Sequence, residues 1–268
     1  MSRLSRLILP AMDLSLAQTL LLCAFIFLAG FVDSIAGGGG LISLPAYFAA
    51  GLTPHGALAT NKFSSFLGTL AAVARYYKAG TIRLRIGLLS ATGALAGSAA
   101  GARLALALHP DVIHTGMLVL VPCALVVILF QKRLLPGTDA GGKAERPGLT
   151  WKAVVIGATL GLYDGLFGPG TGTFLTLAFA VILGLDLLTA AGCARLTNLA
   201  SNLGAVAVFL ADGRVVFPLA AWAALAGVAG NLLGSRLALR KGAAVIRPLM
   251  VVVMVLLMAE VVRRRYFP

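Results

Sequence analysis

Two cations interrupt otherwise apolar stretches of this sequence: Lys62, in Ala59-Thr60-Asn61-Lys62, and Arg195, in Cys193-Ala194-Arg195. Hydroxyls and amides gather around both. Asn61, Ser64 and Ser65 surround the first; Thr197, Asn198, Ser201 and Asn202 follow the second. On a helix, Asn198 and Asn202 share one face, and Arg195 lies three residues before Asn198 on the same stripe. A cation with neutral donors suits a desolvated oxyanion, because charge supplies affinity and amides supply geometry. Interhelical hydrogen bonding and snorkelling toward a headgroup region are the plainer roles for the same residues.

Two acids stand beside glycine-rich breaks. One is Asp33-Ser34-Ile35-Ala36-Gly37-Gly38-Gly39-Gly40; the other is Asp164-Gly165-Leu166-Phe167-Gly168-Pro169-Gly170. Irregular backbone at membrane depth survives only inside protein or beside a water-filled cavity. Breaks at corresponding positions of two halves point to a central transport site. The half-helices that follow would present N–H groups and partial positive charge to an anion. This makes Gly37, Gly38, Gly39, Gly168 and Gly170 candidate binding positions beside Lys62 and Arg195. Asp33 and Asp164 are candidates for proton coupling or for capping the broken helix. Close helix packing through small residues is the competing role for the glycines.

These residues require membrane-spanning helices around them. The chain has 268 residues, 59% hydrophobic and 12% charged, against about 45–50% and about 25% in soluble domains. Apolar runs at 14–31, 86–108, 117–130, 219–239 and 243–262 approach the roughly 20 residues that cross a bilayer. The net charge of +13 sits mostly between these runs, which speaks for topology and against nucleic acid. Cys23, Cys123 and Cys193 lie within apolar runs and read as small buried side chains, with no disulfide or zinc spacing. His55, His109 and His114 read as loop residues without metal-ligand spacing. No catalytic residue, metal or cofactor is assigned.

The sequence repeats. Gly97 to Leu106 recurs as Gly230 to Leu239 with six of ten positions identical, at an offset of 133 that also aligns Lys62 with Arg195. At an offset of 131, Asp33 falls on Asp164, Gly37 on Gly168 and Gly39 on Gly170. The expectation is an all-α polytopic bundle of about eight transmembrane helices in two repeats. Residues 1–130 form the first, 131–150 a cytoplasmic linker and 151–268 the second. Each repeat carries a short segment, 41–50 or 173–183, that is re-entrant or broken.

If the short segments do not cross, most Lys and Arg fall on one face, with both termini cytoplasmic. Arg240, Lys241 and Arg247 then conflict with the rule. Four crossings per repeat would make the two repeats run in the same direction. Arg103 and Arg236, near helix ends, read as snorkelling residues.

The strings Val32 to Gly40, Ala59-Thr60-Asn61-Lys62, Gly165 to Gly172 and Asn198-Leu199-Ala200-Ser201-Asn202 resemble the TauE/SafE family of sulfite and sulfonate exporters, over about residues 15 to 262. The resemblance implies a bacterial inner-membrane secondary transporter of a small anion such as sulfite, a sulfonate or another organic anion. Its partners would be the lipid bilayer and that anion, with no nucleic acid and with a homo-oligomer left open. Where the family often has Thr-Lys, this chain has Ala194-Arg195, a planar fork in place of a compact ammonium. A channel, an accessory subunit whose charges only satisfy each other, and, last, a membrane-embedded enzyme are the alternatives.

Overall fold

The computed structural model describes residues 14–134 and 149–241. It is all-helical there, with no strands among the described residues. The helices are α1 (Leu16–Ala36), α2 (Gly40–Ala49), α3 (Pro54–Lys78), α4 (Leu84–Ala107), α5 (Pro110–Leu134), α6 (Leu149–Leu166), α7 (Thr171–Val181), α8 (Leu187–Ala211) and α9 (Phe217–Lys241). The apolar run 243–262 and most of the proposed linker lie outside the described residues.

Local sequence sets the ends. Ser15 caps α1 and exchanges hydrogen bonds with Gln18 in a capping box. Thr53 caps α3, with Pro54 in its first turn. The Asp186 carboxylate caps α8 through the Thr189 N–H. Gly37, at φ 84°, stops α1 in a left-handed conformation, and Gly168, at φ 92°, does the same after α6.

Among the described residues, four helices are long and apolar enough to cross a membrane: Leu16–Ala36, Pro110–Val127, Leu187–Ala211 and Phe217–Arg240. Helices α4 and α6 are long but less apolar, because small residues line the seam between them. Gly93, Gly97 and Gly101 press on the backbone of Val154, Ala158 and Leu162, while Gly157, Gly161 and Gly165 press on Ser90, Ala94 and Ser98. Small residues four apart let helix backbones approach closely in a membrane. The seam between α9 and α1 is built alike: Gly230 meets Phe27, and Gly234 meets Phe31.

The order of these contacts gives the helix directions. Numbering rises together along α4 and α6, so these two are parallel, as are α1 and α9. Gly56 lies by Arg214 and Val216, and Gly68 by Gly227 and Asn231, so α3 is parallel to α9 and hence to α1. Gly87 meets Leu196 and Gly204 meets Leu95, so α8 is parallel to α4. The His55 ring, at the start of α3, contacts the Ala105 carbonyl near the end of α4, so α3 and α4 are antiparallel.

Three expectations are corrected by these directions. First, α3 begins at the end of the bundle where α1 began, so α2 carries the chain back; α7 does the same between α6 and α8. A 10-residue helix, about 15 Å long, is half a bilayer thick, and its length alone left this open. Second, α1 and α6 run in opposite directions, not the same one. Third, the end of α3, the start of α4, the start of α6 and the end of α9 share one face. Arg75, Lys78, Arg83, Arg85, Lys152 and Arg240 therefore lie toward one end, and the conflict raised by Arg240 disappears. The start of α1 lies at the opposite end from this cluster, so the charge count that placed the two together no longer holds.

His55 and His114 sit in helices rather than loops; the His114 ring packs on Phe48. Of the cysteines only Cys193 is buried, while Cys23 is half-buried and Cys123 exposed. Arg103 and Arg236 are exposed, consistent with snorkelling.

Candidate functional site

The two breaks meet. Gly37 lies against the backbone of Gly172 and Thr173, and Gly40 lies beside Gly168 and Pro169. The Thr173 hydroxyl donates to the Ala36 carbonyl, tying the start of α7 to the end of α1. Positive φ at Gly37 and Gly168 makes each turn, and the absence of a side chain lets backbone reach backbone.

Lys62 on α3 and Arg195 on α8 converge on this crossing. The Lys62 ammonium is 2.6 Å from the Asp164 carboxylate. Arg195 Nη1 is 3.0 Å from the Asp33 carboxylate. Each cation thus pairs with the acid from the other half of the sequence. Three of the four side chains are almost fully buried; Asp33 keeps 16% of its surface open. A β-carbon at Gly37 or Gly172 would come within 2.8 and 2.9 Å of Arg195 Nη2, and one at Gly168 within 3.3 Å of Lys62 Nζ. Larger residues at these glycines would displace the cations.

The second-sphere contacts differ between the two pairs. Asp164 also accepts a 2.6 Å hydrogen bond from the Ser201 hydroxyl. Lys62 reaches Asn202 Oδ1 at 3.4 Å. Asp33 accepts from the Gly39 N–H at the start of α2, so it both caps the half-helix and holds Arg195. Arg195 Nε and Asn202 Nδ2 are buried donors without a hydrogen-bond partner. Unmet buried donors are uncommon and call for a ligand or water.

The structure thus brings Lys62, Arg195, Asp33, Asp164, Gly37, Gly39, Gly168 and Asn202 into one region. Gly38 is buried at the break, and its carbonyl accepts the Leu41 N–H. Gly170 caps α7 with φ 78° and faces Ala124 and Phe174. Asn198 is buried on α8. Asn61 turns from its neighbour Lys62 toward α2: its Oδ1 accepts the Ser43 hydroxyl at 2.6 Å. Ser201 as a direct partner of Asp164, Thr173, and Asn231 on α9 were not singled out by sequence. Asn231 lay in plain view within the repeated Gly-xxx-Gly string, as the one amide among small and aliphatic residues.

Among the described residues no group of three or more His, Cys, Asp or Glu gathers to hold a metal. The charges present can bind an anion by exchanging a carboxylate for it, since a buried cation is stable only while paired.

Known proteins are similar to this chain in sequence. The chain is 36% identical over 237 residues to "Probable membrane transporter protein YfcA" of Escherichia coli strain K12, covering 87% of this chain and 85% of that protein. It is 36% identical over 231 residues to "Probable membrane transporter protein ORF9" of a Sinorhizobium species, covering 86% and 87%. "Probable membrane transporter protein YdhB" of Bacillus subtilis is 24% identical over 222 residues, covering 81% and 89%. No solved structure matches the chain. The family model described as "Sulfite exporter TauE/SafE" matches residues 22–261, and the chain belongs to this family of membrane transporters.

Proposed function

We propose that this protein is a secondary transporter that exports a small oxyanion, such as sulfite or an organic sulfonate, through the crossing of the two breaks. The observation that carries the reading is the reciprocal pairing of two buried cations with the acids of the opposite half. An anion that displaces a carboxylate from either cation loosens a contact between the halves, so binding and conformational change share the same bonds. The opposed directions of α1 and α6 support a duplicated unit with inverted topology, an arrangement in which alternating access follows from rocking one half against the other. The family name supports a sulfur oxyanion as cargo. Flux of sulfite and methanesulfonate into proteoliposomes tests the reading; no protein-dependent flux of either would sink it.

The accessory-subunit reading draws on the same pairs, since four charges that satisfy one another need no ligand. Pairing across halves changes the variants that test it. Lys62→Met belongs with Asp164→Leu, not with Asp33→Asn. If the charges only satisfy each other, that double variant keeps full function; in the transporter reading it is folded and inactive.

In the bacterial inner membrane, the positive-inside rule favours the end carrying Arg75, Lys78, Arg83, Arg85, Lys152 and Arg240 as cytoplasmic. The start of α1 then faces the periplasm, in place of the cytoplasmic start expected from sequence.

A further inference from the structure

Beside Asp33 lies a cavity of about 20 Å³. That is room for one water-sized guest, since a water needs about 10–15 Å³. Six of its lining residues carry side-chain oxygen, namely Asp33, Ser43, Asn61, Ser64, Ser65 and Asn231, and they stand beside Ile26, Ala29 and three glycines. α1, α2, α3 and α9 each contribute.

Asn231 is the second, independent observation. It is buried, and its Nδ2 donates to the Gly227 carbonyl at 2.9 Å, which fixes the amide. Its Oδ1 is left with no donor. An orphaned buried acceptor on a cavity that holds a carboxylate points to a cation. The other half is built differently: at offsets of 131 and 133, Ser43 corresponds to Phe174 and Asn61 to Ala194, neither with a side-chain oxygen.

We propose that this cavity is a sodium site and that sodium is the coupling ion for anion movement. The ligand set is all oxygen with one formal negative charge, which suits a hard cation. The cavity is too small for a hydrated divalent ion. Half-helix junctions place coupling ions in this way beside the substrate site.

The proposal rests on the anion reading of Arg195 and gives it a coupling mechanism. While Arg195 holds Asp33 at 3.0 Å, the carboxylate is neutralised and its pull on a cation is weak. An anion on Arg195 takes over the guanidinium, and the freed carboxylate then holds sodium. Each ligand raises the affinity for the other by the same factor, as linkage requires.

The test uses purified full-length protein in detergent at fixed pH and ionic strength, with thermal unfolding as the readout. Ligands that bind only the folded state raise the transition. Sodium chloride is expected to stabilise the wild type relative to choline chloride, and methanesulfonate to lower the half-saturating sodium concentration about tenfold. Asn231→Ala and Ser65→Ala are expected to raise that concentration tenfold or more while the stabilisation by methanesulfonate persists. Using two variants guards against misfolding of one. Sodium stabilisation without any methanesulfonate effect supports the cation site and sinks both the anion reading and the coupling role of sodium. No sodium-specific shift in the wild type, a shift unchanged in both variants, or a shift that follows pH and ignores sodium overturns the proposal.

Discussion

Arg195 Nη1 lies 3.0 Å from Asp33 Oδ2, joining α8 to α1 across 162 residues of sequence. Its counterpart, Lys62 with Asp164 at 2.6 Å, joins α3 to α6. Removing one partner of a buried pair leaves an uncompensated charge, at a cost of about 3–5 kcal/mol, whereas removing both is often nearly neutral. Asp164→Leu alone should therefore lower stability by about that amount, and Lys62→Met with Asp164→Leu should recover most of it. Urea or thermal unfolding of the purified variants reads this. A double variant as unstable as the single one would contradict the pairing.

The left-handed glycines separate strain from site. Gly80 has φ 70° with open space around the missing side chain, while Gly37 has φ 84° and abuts the Gly172 backbone and Arg195. Gly80→Ala should cost about 1–2 kcal/mol and leave anion flux near wild type. Gly37→Ala carries the same strain plus a clash at the breaks, and should lose at least tenfold in flux at matched protein incorporation. Equal flux in the two variants would remove the crossing from the transport path.

Helix directions make a topological prediction. Single cysteines at Lys78 and at Asp212, in a background freed of Cys23, Cys123 and Cys193, should label from opposite sides of the membrane. A membrane-impermeant maleimide on intact cells should reach position 212 and miss position 78 until the cells are opened. Labelling of both from one side would overturn the parallel course of α3 and α9, from which that of α1 and α3 follows.

Arg195→Lys keeps the charge and loses the planar fork. The ammonium can still hold Asp33, so stability should fall by no more than about 1.5 kcal/mol. The anion loses bidentate contact, so KM for sulfite should rise about tenfold with little change in the maximal rate. A fall in maximal rate at unchanged KM would mean that Arg195 acts in the conformational step and not in binding.

Much of the site was legible in the sequence because its chemistry is conspicuous there. A lysine and an arginine inside apolar runs, and two acids beside glycine runs, are costly in lipid and so stand out at once. Helix positions followed from apolar runs, and the turns at Gly37 and Gly168 from glycine. What the sequence did not disclose depends on tertiary packing. Nothing local tells Lys62 to choose Asp164 over Asp33, because the choice is made where the Lys62 side chain reaches the Asp164 carboxylate on α6. The return of the chain through α2 was hidden for a related reason: ten apolar residues fit a half-crossing as well as a return, and only the register of Gly56 and Gly68 along α9 decides. Asn231 passed as a variable position of a packing motif, since its role appears only once α1, α3 and α9 close around it.

The central claim is that Lys62 and Arg195 carry an anion between the two halves. It is tested most directly by sulfite efflux from proteoliposomes holding wild type, Lys62→Ala or Arg195→Ala at equal folded amounts. The account predicts saturable efflux by the wild type that falls at least tenfold in each variant. Absence of protein-dependent efflux, or efflux unchanged in both variants, would contradict it.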